Sequence, residues 1–224
     1  MGLSPREKRL NSDHRALQEL HAESAIFAFD CKGNPPDRYR MIFQGTGLSR
    51  NENTKQVQTT YRHEVLITLT TAYPRMMPEI SWQTPIFHPN ISAGGVVCLG
   101  GYGTHWVPSL RLDELCHMLW DMIRYKNFDV ESPYNREAAL WARSQEHFQF
   151  PLDDRPLRDL VGSGKVRHGS KPPVLMKRKS FNDSFGVRFI DAEIVEAEVL
   201  DMDDLEDLPN QDHYSSGQDI VFID

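Results

Sequence analysis

The 224-residue chain carries 25 Lys and Arg against 32 Asp and Glu, and 39% of its residues are hydrophobic. That suits one domain with an appendage and leaves enough apolar residues for a core. No apolar run approaches the ~18 residues of a membrane helix, the polar start from Met1 to Leu10 holds no signal-peptide core or myristoylation motif, and Cys31, Cys98 and Cys116 form no CxxC pair, so a disulfide framework and a zinc ribbon are excluded and a reducing cytoplasm is the expected location.

Ser4-Pro5-Arg6-Glu7 is a helix start, with a Ser cap, Pro in the first turn and Glu three residues on. Leu10, Leu17 and Leu20 then share one face. Phe27, Phe29 and Cys31 alternate as the apolar face of a strand. After the turn residues Gly33-Asn34-Pro35-Pro36, so do Tyr39, Met41 and Phe43. The clearest strand runs from Val57 to Thr70, with His63, Val65, Ile67 and Leu69 on its apolar side. Glu79 to Trp82 makes a fourth. Hairpin distances imply an antiparallel meander.

From Thr84 to Pro108 the chain is rich in proline and glycine and has no sustained period, and such long irregular segments are often functional. A helix follows near Ser109, with Leu112, Leu115, Cys116, Leu119 and Ile123 as its stripe. Asn135 is the expected cap of a last helix, Arg136 to Phe148, burying Ala138, Trp141 and Phe148. Helix, four strands, long loop and C-terminal helices define an α+β domain. Cys31 and Cys116 are expected in the core, and His63 in the core or at its edge.

Residues 1–158 hold 18 basic and 18 acidic residues, whereas 159–224 hold 7 and 14. The break near Arg158, followed by Gly162-Ser163-Gly164 and Pro172-Pro173, divides the chain into a domain over 1–160 and a linker and charged tail over 161–224. Six basic residues and no acid fill 163–180, and thirteen acids with one Arg fill 181–224; these blocks favour disorder. Within the tail, Ile220-Val221-Phe222-Ile223 lies between Asp219 and Asp224, and Ile194-Val195 and Val199-Leu200 are likewise flanked by acids. Such runs either add a strand to a partner's sheet edge or belong to a solubilising tail.

Within the irregular segment stands His88-Pro89-Asn90, followed eight residues after Asn90 by Cys98 and eight further on by Trp106-Val107-Pro108. Here the sequence resembles the ubiquitin-conjugating enzymes, the thioester-carrying second enzymes of the ubiquitin cascade. Tyr73-Pro74, Pro78, Thr84, His88-Pro89-Asn90, Gly95, Cys98-Leu99, Trp106 and Pro108 fall at that family's spacing without a gap. The close similarity covers Tyr73 to about Phe128, and a weaker one covers residues 5–150. The resemblance implies the family's fold. It also implies transfer of ubiquitin or a ubiquitin-like modifier from an activating enzyme to Cys98 as a thioester, then to a substrate lysine.

The residue types suit that chemistry. A cysteine is partly thiolate near neutrality and holds an acyl group well, provided that it is exposed. Gly94, Gly95, Gly100 and Gly101 let a bulky donor's backbone approach it. The oxyanion formed when an amine attacks needs a donor, and the Asn90 amide can supply one. In the family the matching Asn has this role or holds the loop, and both readings stand. His88, Pro89, Trp106 and Pro108 would support the active-site loop. Arg6, Lys8 and Arg9 match the family's docking surface for the activating enzyme, or are simply a solvated helix face. The partners implied are the modifier, the activating enzyme, a protein substrate and, where one is used, a ligase. No cofactor, metal, nucleic acid or membrane is expected.

Three features depart from the family. Arg75 follows Tyr73-Pro74 where many members have an aromatic that docks a ligase's RING domain, which argues against a conventional RING partner. Gly100 follows Cys98-Leu99 in place of a frequent Asp. The loop from Asn127 to Pro133 is longer than usual, so the acidic or Ser gate beside the thiol falls on Ser132, with Asp129 or Glu131 as substitutes. Such a group would orient an incoming lysine and help remove its proton. Arg75 and the unusual second strand suggest a divergent, prokaryotic system. Two rival readings remain: a non-catalytic modifier-binding module of the same fold, and a cysteine hydrolase pairing Cys98 with His88 or His105.

Overall fold

The structure, a computed structural model, describes residues 2–100 and 106–161. His105, Gly101 and the tail from Gly162 onward lie outside the described residues. Helix α1 spans Pro5–Ala22. Its first turn is closed reciprocally: the Glu7 N–H donates to Ser4 Oγ at 3.2 Å, and the Ser4 N–H donates to the Glu7 carboxylate at 2.7 Å. The expected Leu10, Leu17 and Leu20 are fully buried.

That helix covers one face of a four-stranded antiparallel sheet in the order β1-β2-β3-β4, comprising Phe27–Gly33, Pro36–Arg50, Val57–Thr68 and Glu79–Trp82. The register sets Phe27 opposite Phe43, Phe29 opposite Met41 and Met41 opposite Val65. Alternate side chains therefore converge on α1 as one apolar layer. The expected meander is present.

Strand β2 runs past Phe43, where the alternation had been expected to end. The register shifts between Gln44 and Gly47, and such a bulge resets the phase of a strand. Gly45 is required there. A Cβ on it would lie 2.2 Å from Cη2 of Trp120. Cys31 is a correction: it is exposed, because the last residues of β1, from Cys31 to Gly33, run into the exposed hairpin end, beyond the buried part of the strand.

Helix α2, Leu112–Ile123, buries its predicted stripe and also Trp120 and Met122. Cys116 is buried as expected, and burial pushes its thiol pKa well up. Asn135 caps helix α3, Arg136–Ser144, its Oδ1 accepting the Ala138 N–H at 3.1 Å. The helix ends at Ser144 and not at Phe148. Gln145 leaves the helical path, and its Oε1 takes the Phe148 N–H at 2.8 Å. Ala138 and Ala139 are the buried residues of α3, while Trp141 and Phe148 are half-buried in an aromatic cluster with Phe87 and Tyr125.

Residues 145–161 form an irregular strap. Leu157 is buried. The Arg155 carbonyl accepts Trp120 Nε1–H at 2.9 Å, and the Asp153 carbonyl accepts from Arg124. Arg158 pairs with Glu23 and Asp113. Asp159 takes the Ala25 N–H at 2.7 Å, and the Leu160 N–H donates to the Glu23 carbonyl at 3.1 Å.

Candidate active site

The segment after β4 turns back along that strand. The Trp82 N–H donates to the Gly95 carbonyl at 2.8 Å, and Ser81 bridges Val96. Gly95 has φ +80, and a Cβ there would meet the Trp82 carbonyl oxygen at 2.3 Å. Only glycine lets the two backbones approach so closely. Three residues on, Cys98 donates its backbone N–H to the Asn90 carbonyl at 2.8 Å. Buried Val97 and Leu99 anchor it on either side, while the thiol-bearing residue itself is partly exposed. A free, half-open cysteine held on a pinned backbone is what a nucleophile needs.

His88 is completely buried. Its Nδ1 accepts the Asn90 N–H at 3.1 Å, and its ring meets Tyr125 edge-on with centroids 4.9 Å apart. Desolvation by burial lowers its pKa to about 3, against an opposing pull from the Asn127 carbonyl. The ring is neutral and inward. It fixes the loop, and it is unsuited to act as a base toward Cys98, so the hydrolase pairing with His88 is not available. The Pro89 carbonyl accepts the Asn135 N–H at 2.8 Å, tying the motif to the cap of α3.

Asn90 reaches across to Asp129. Its Nδ2 donates to the Asp129 carbonyl at 3.0 Å, and its Oδ1 accepts the Asp129 N–H at 2.7 Å. The Asp129 carboxylate accepts the N–H groups of Glu131 at 2.7 Å and Ser132 at 3.3 Å. Glu131 is paired with Arg143 from α3, which also holds the Val130 carbonyl.

A cleft of about 50 Å³ opens beside the thiol. Its polar wall is Asn90, Asn127 and Asp129, and its apolar wall is Leu99, Met118 and Met122. Of the expected gate residues, Asp129 lines this cleft, whereas Ser132 and Glu131 do not.

Trp106 donates Nε1–H to the Pro74 carbonyl at 2.7 Å, and Pro108 is exposed, its carbonyl held by Arg9. The charges expected to dock an activating enzyme are not equally free. Arg9 donates to Asp13 at 2.8 Å, to the Tyr73 hydroxyl at 2.7 Å and to the carbonyls of Pro108 and Leu110. Arg6 donates to the carbonyls of Leu69 and Thr70. Lys8 alone of the three is exposed, and its side chain has no partner among the described residues.

Sequence reasoning missed Asn127, Met118 and Met122 at the cleft and Arg143 behind the loop. Met118 and Met122 are four apart on α2, a spacing that places them on one face. Asn127 and Arg143 carried no sequence signal.

The family model described as "Ubiquitin-conjugating enzyme" matches residues 52–152. The chain is 26% identical over 160 residues to "Ubiquitin-conjugating enzyme E2 16" of Schizosaccharomyces pombe, covering 71% of this chain and 94% of that one. It is 34% identical over 71 residues to "Probable NEDD8-conjugating enzyme Ubc12-like" of Arabidopsis thaliana, covering 32% of this chain and 37% of the relative. The solved structure of S. cerevisiae Ubc12 is similar in fold, with a TM-score of 0.50 and 20% identity, over 71% of this chain and 76% of that one. Over residues 52–152 the chain is similar to the ubiquitin-conjugating enzyme family, whose members are transferases that carry ubiquitin-like modifiers. These relatives are all eukaryotic and lend the prokaryotic expectation no support.

Proposed function

We propose that Cys98 accepts the C-terminal carboxyl of ubiquitin or a ubiquitin-like modifier as a thioester and passes it to a substrate lysine in a reducing cytoplasm. The observation that carries this reading is the partly exposed thiol at the mouth of a cleft shared with Asn90 and Asp129. In the first step the Cys98 thiolate attacks the activating enzyme's thioester, and that enzyme's thiolate leaves. In the second, a neutral lysine amine attacks the Cys98 thioester carbonyl. Asp129 is the carboxylate in reach of that cleft, since Glu131 is paired with Arg143. It orients the lysine and takes up its proton. Asn90 holds the loop that carries Asp129, and its second Nδ2 hydrogen remains for the oxyanion.

The names of the relatives put ubiquitin and NEDD8 first among modifiers to test. Incubation with ATP, either modifier and its activating enzyme should give an adduct on a non-reducing gel that reductant removes. Cys98→Ala should give none. Cys98→Ser, nearly the same shape, should give an oxygen ester that resists reductant. Absence of any reducible adduct with both modifiers would leave the binding-module reading in its place.

A further inference from the structure

The reaction proposed above needs donors at the thioester oxygen, and the cleft offers more than Asn90. That residue spends its Oδ1 and one Nδ2 hydrogen on the backbone of Asp129. Asp129 can only accept when ionised. Asn127 is different. It lines the same cleft, and its side-chain amide has no hydrogen-bond partner among the described residues.

Its backbone, by contrast, is fixed from three directions. The Asn127 N–H donates to the Asp121 carbonyl at 3.0 Å, alongside Lys126 at 2.9 Å. Asp121 is itself held by Arg124 at 2.7 Å. Tyr125 turns the chain out of α2 with φ +56, and its ring stacks on Phe150, 4.7 Å between centroids. On the inner side lies His88 of the His-Pro-Asn motif. An uncommitted amide on an immobilised stem meets the requirement for a donor that needs no reorganisation.

We infer that Asn127 is a catalytic residue of the discharge step, donating Nδ2–H to the oxyanion beside Cys98. The inference rests on the thioester reading above. The lysine nitrogen pair forms the C–N bond, and the carbonyl π pair moves onto oxygen, where Asn127 and the second Nδ2 hydrogen of Asn90 receive it. The oxyanion then collapses, the C–S bond breaks, and Cys98 leaves as thiolate while the amine's proton passes to Asp129. Both hydrogens of the Asn127 amide are available, and being un-ionised it donates at any pH.

The test is single-turnover discharge of the purified Cys98 thioester, with full-length wild type, Asn127→Ala and Asn127→Asp. Free lysine is varied to saturation, and spontaneous hydrolysis is followed in parallel. Hydrolysis builds the same kind of oxyanion but needs no lysine. Both variants should still reach the charged state on long incubation with the activating enzyme, so that the purified thioester can be followed, and should melt at the wild-type temperature. Asn127→Ala should lower the rate at saturating lysine by about tenfold or more, leave the half-saturating lysine concentration unchanged and slow hydrolysis by the same factor. Asn127→Asp, which offers a negative charge in place of a donor, should be slower still.

Discharge of Asn127→Ala within about twofold of wild type would overturn the inference while leaving the thioester reading intact. Loss confined to aminolysis would also overturn it, since Asn127 would then orient the amine. A wild-type chain that forms no thioester would remove the parent reading and the inference together.

Discussion

Asn90 and Asp129 lie 39 residues apart in the chain and meet through paired hydrogen bonds, amide to carbonyl at 3.0 Å and backbone N–H to amide oxygen at 2.7 Å. The side-chain amide thus closes on the peptide backbone as a neighbouring strand would. The segment that bears Cys98 and the segment that bears the carboxylate are joined at this point; from α3, Arg143 holds the Val130 carbonyl of the carboxylate's loop, and the Asn135 N–H at the cap donates to the Pro89 carbonyl. Neither segment has regular structure of its own to hold it.

Substituting Asn90 should therefore affect both stability and discharge. Asn90→Ala loses two hydrogen bonds, which costs about 1–3 kcal/mol. Thioester formation should proceed normally, and transfer to lysine should slow by ~10²-fold, because the carboxylate loop and the remaining donor are both displaced. Thermal melting and single-turnover discharge measure the two effects separately. Slow formation with normal discharge would contradict the assignment.

Acid should destabilise the protein through two buried histidines. Burial lowers the pKa of His63 to about 4 and that of His88 to about 3, whereas an unfolded histidine titrates near 6.5. Between those values the unfolded chain binds protons that the folded chain refuses. Stability is therefore intact above pH 6.5 and declines as pH falls toward 4, by up to ~1.4 kcal/mol per pH unit for each ring. The melting temperature should drop between pH 7 and pH 5. His63→Gln, though less stable at pH 7, should lose less across that interval. Parallel curves for wild type and variant would refute the role given to His63.

The basic first helix divides into structural and free charges. Arg9 satisfies Asp13, which is fully buried and also takes the Tyr73 hydroxyl at 2.6 Å. Removing Arg9 leaves that carboxylate short of its cation and should cost about 3 kcal/mol. Arg9→Lys should not restore the loss, since an ammonium cannot reproduce the guanidinium fork. Lys8→Ala should melt normally and raise the concentration needed for half-maximal charging by the activating enzyme. An Arg9→Lys protein as stable as wild type would refute the clamp, and unaltered charging of Lys8→Ala would refute the docking role.

The strap sets where the domain can be cut. A chain ending at Leu160 keeps Leu157, Arg158 and Asp159 and should form the thioester as the full chain does. A chain ending at Phe150 loses the burial of Leu157 and the bonds to Trp120, Arg124 and Ala25. Its melting temperature should fall by about 10 °C or more. If the Leu160 chain cannot be charged, residues beyond it belong to the catalytic unit.

Periodic features were legible in the sequence because side-chain spacing alone fixes them. The α1 stripe, the meander and the α2 stripe needed only the 3.6- and 2-residue periods and a capping box. Cys98 and Asn90 were legible through the spacing of a motif. What escaped was set by packing. Cys31 keeps the strand's alternation yet falls in the exposed end of the hairpin. The phase shift at Gly45 follows from Trp120 pressing on the strand from α2. Arg9 reads as a surface charge in the sequence because its partners Tyr73 and Leu110 come from 64 and 101 positions away. Asn127 had no pattern at all, because its place at the cleft comes from the turn that ends α2.

The return of Gly95 and Val96 alongside β4 has a consequence for solubility. Strand β4 ends the sheet, and an uncovered end strand is a template for pairing with another chain. Here the segment leading to Cys98 covers part of it, through Trp82 and Ser81. The nucleophile's own loop thus serves as a guard against self-association. Changes that loosen it, such as Gly95→Ala, should appear as aggregates on sizing columns as well as in lost activity, so selection for a soluble protein and for a placed thiol act on the same few residues.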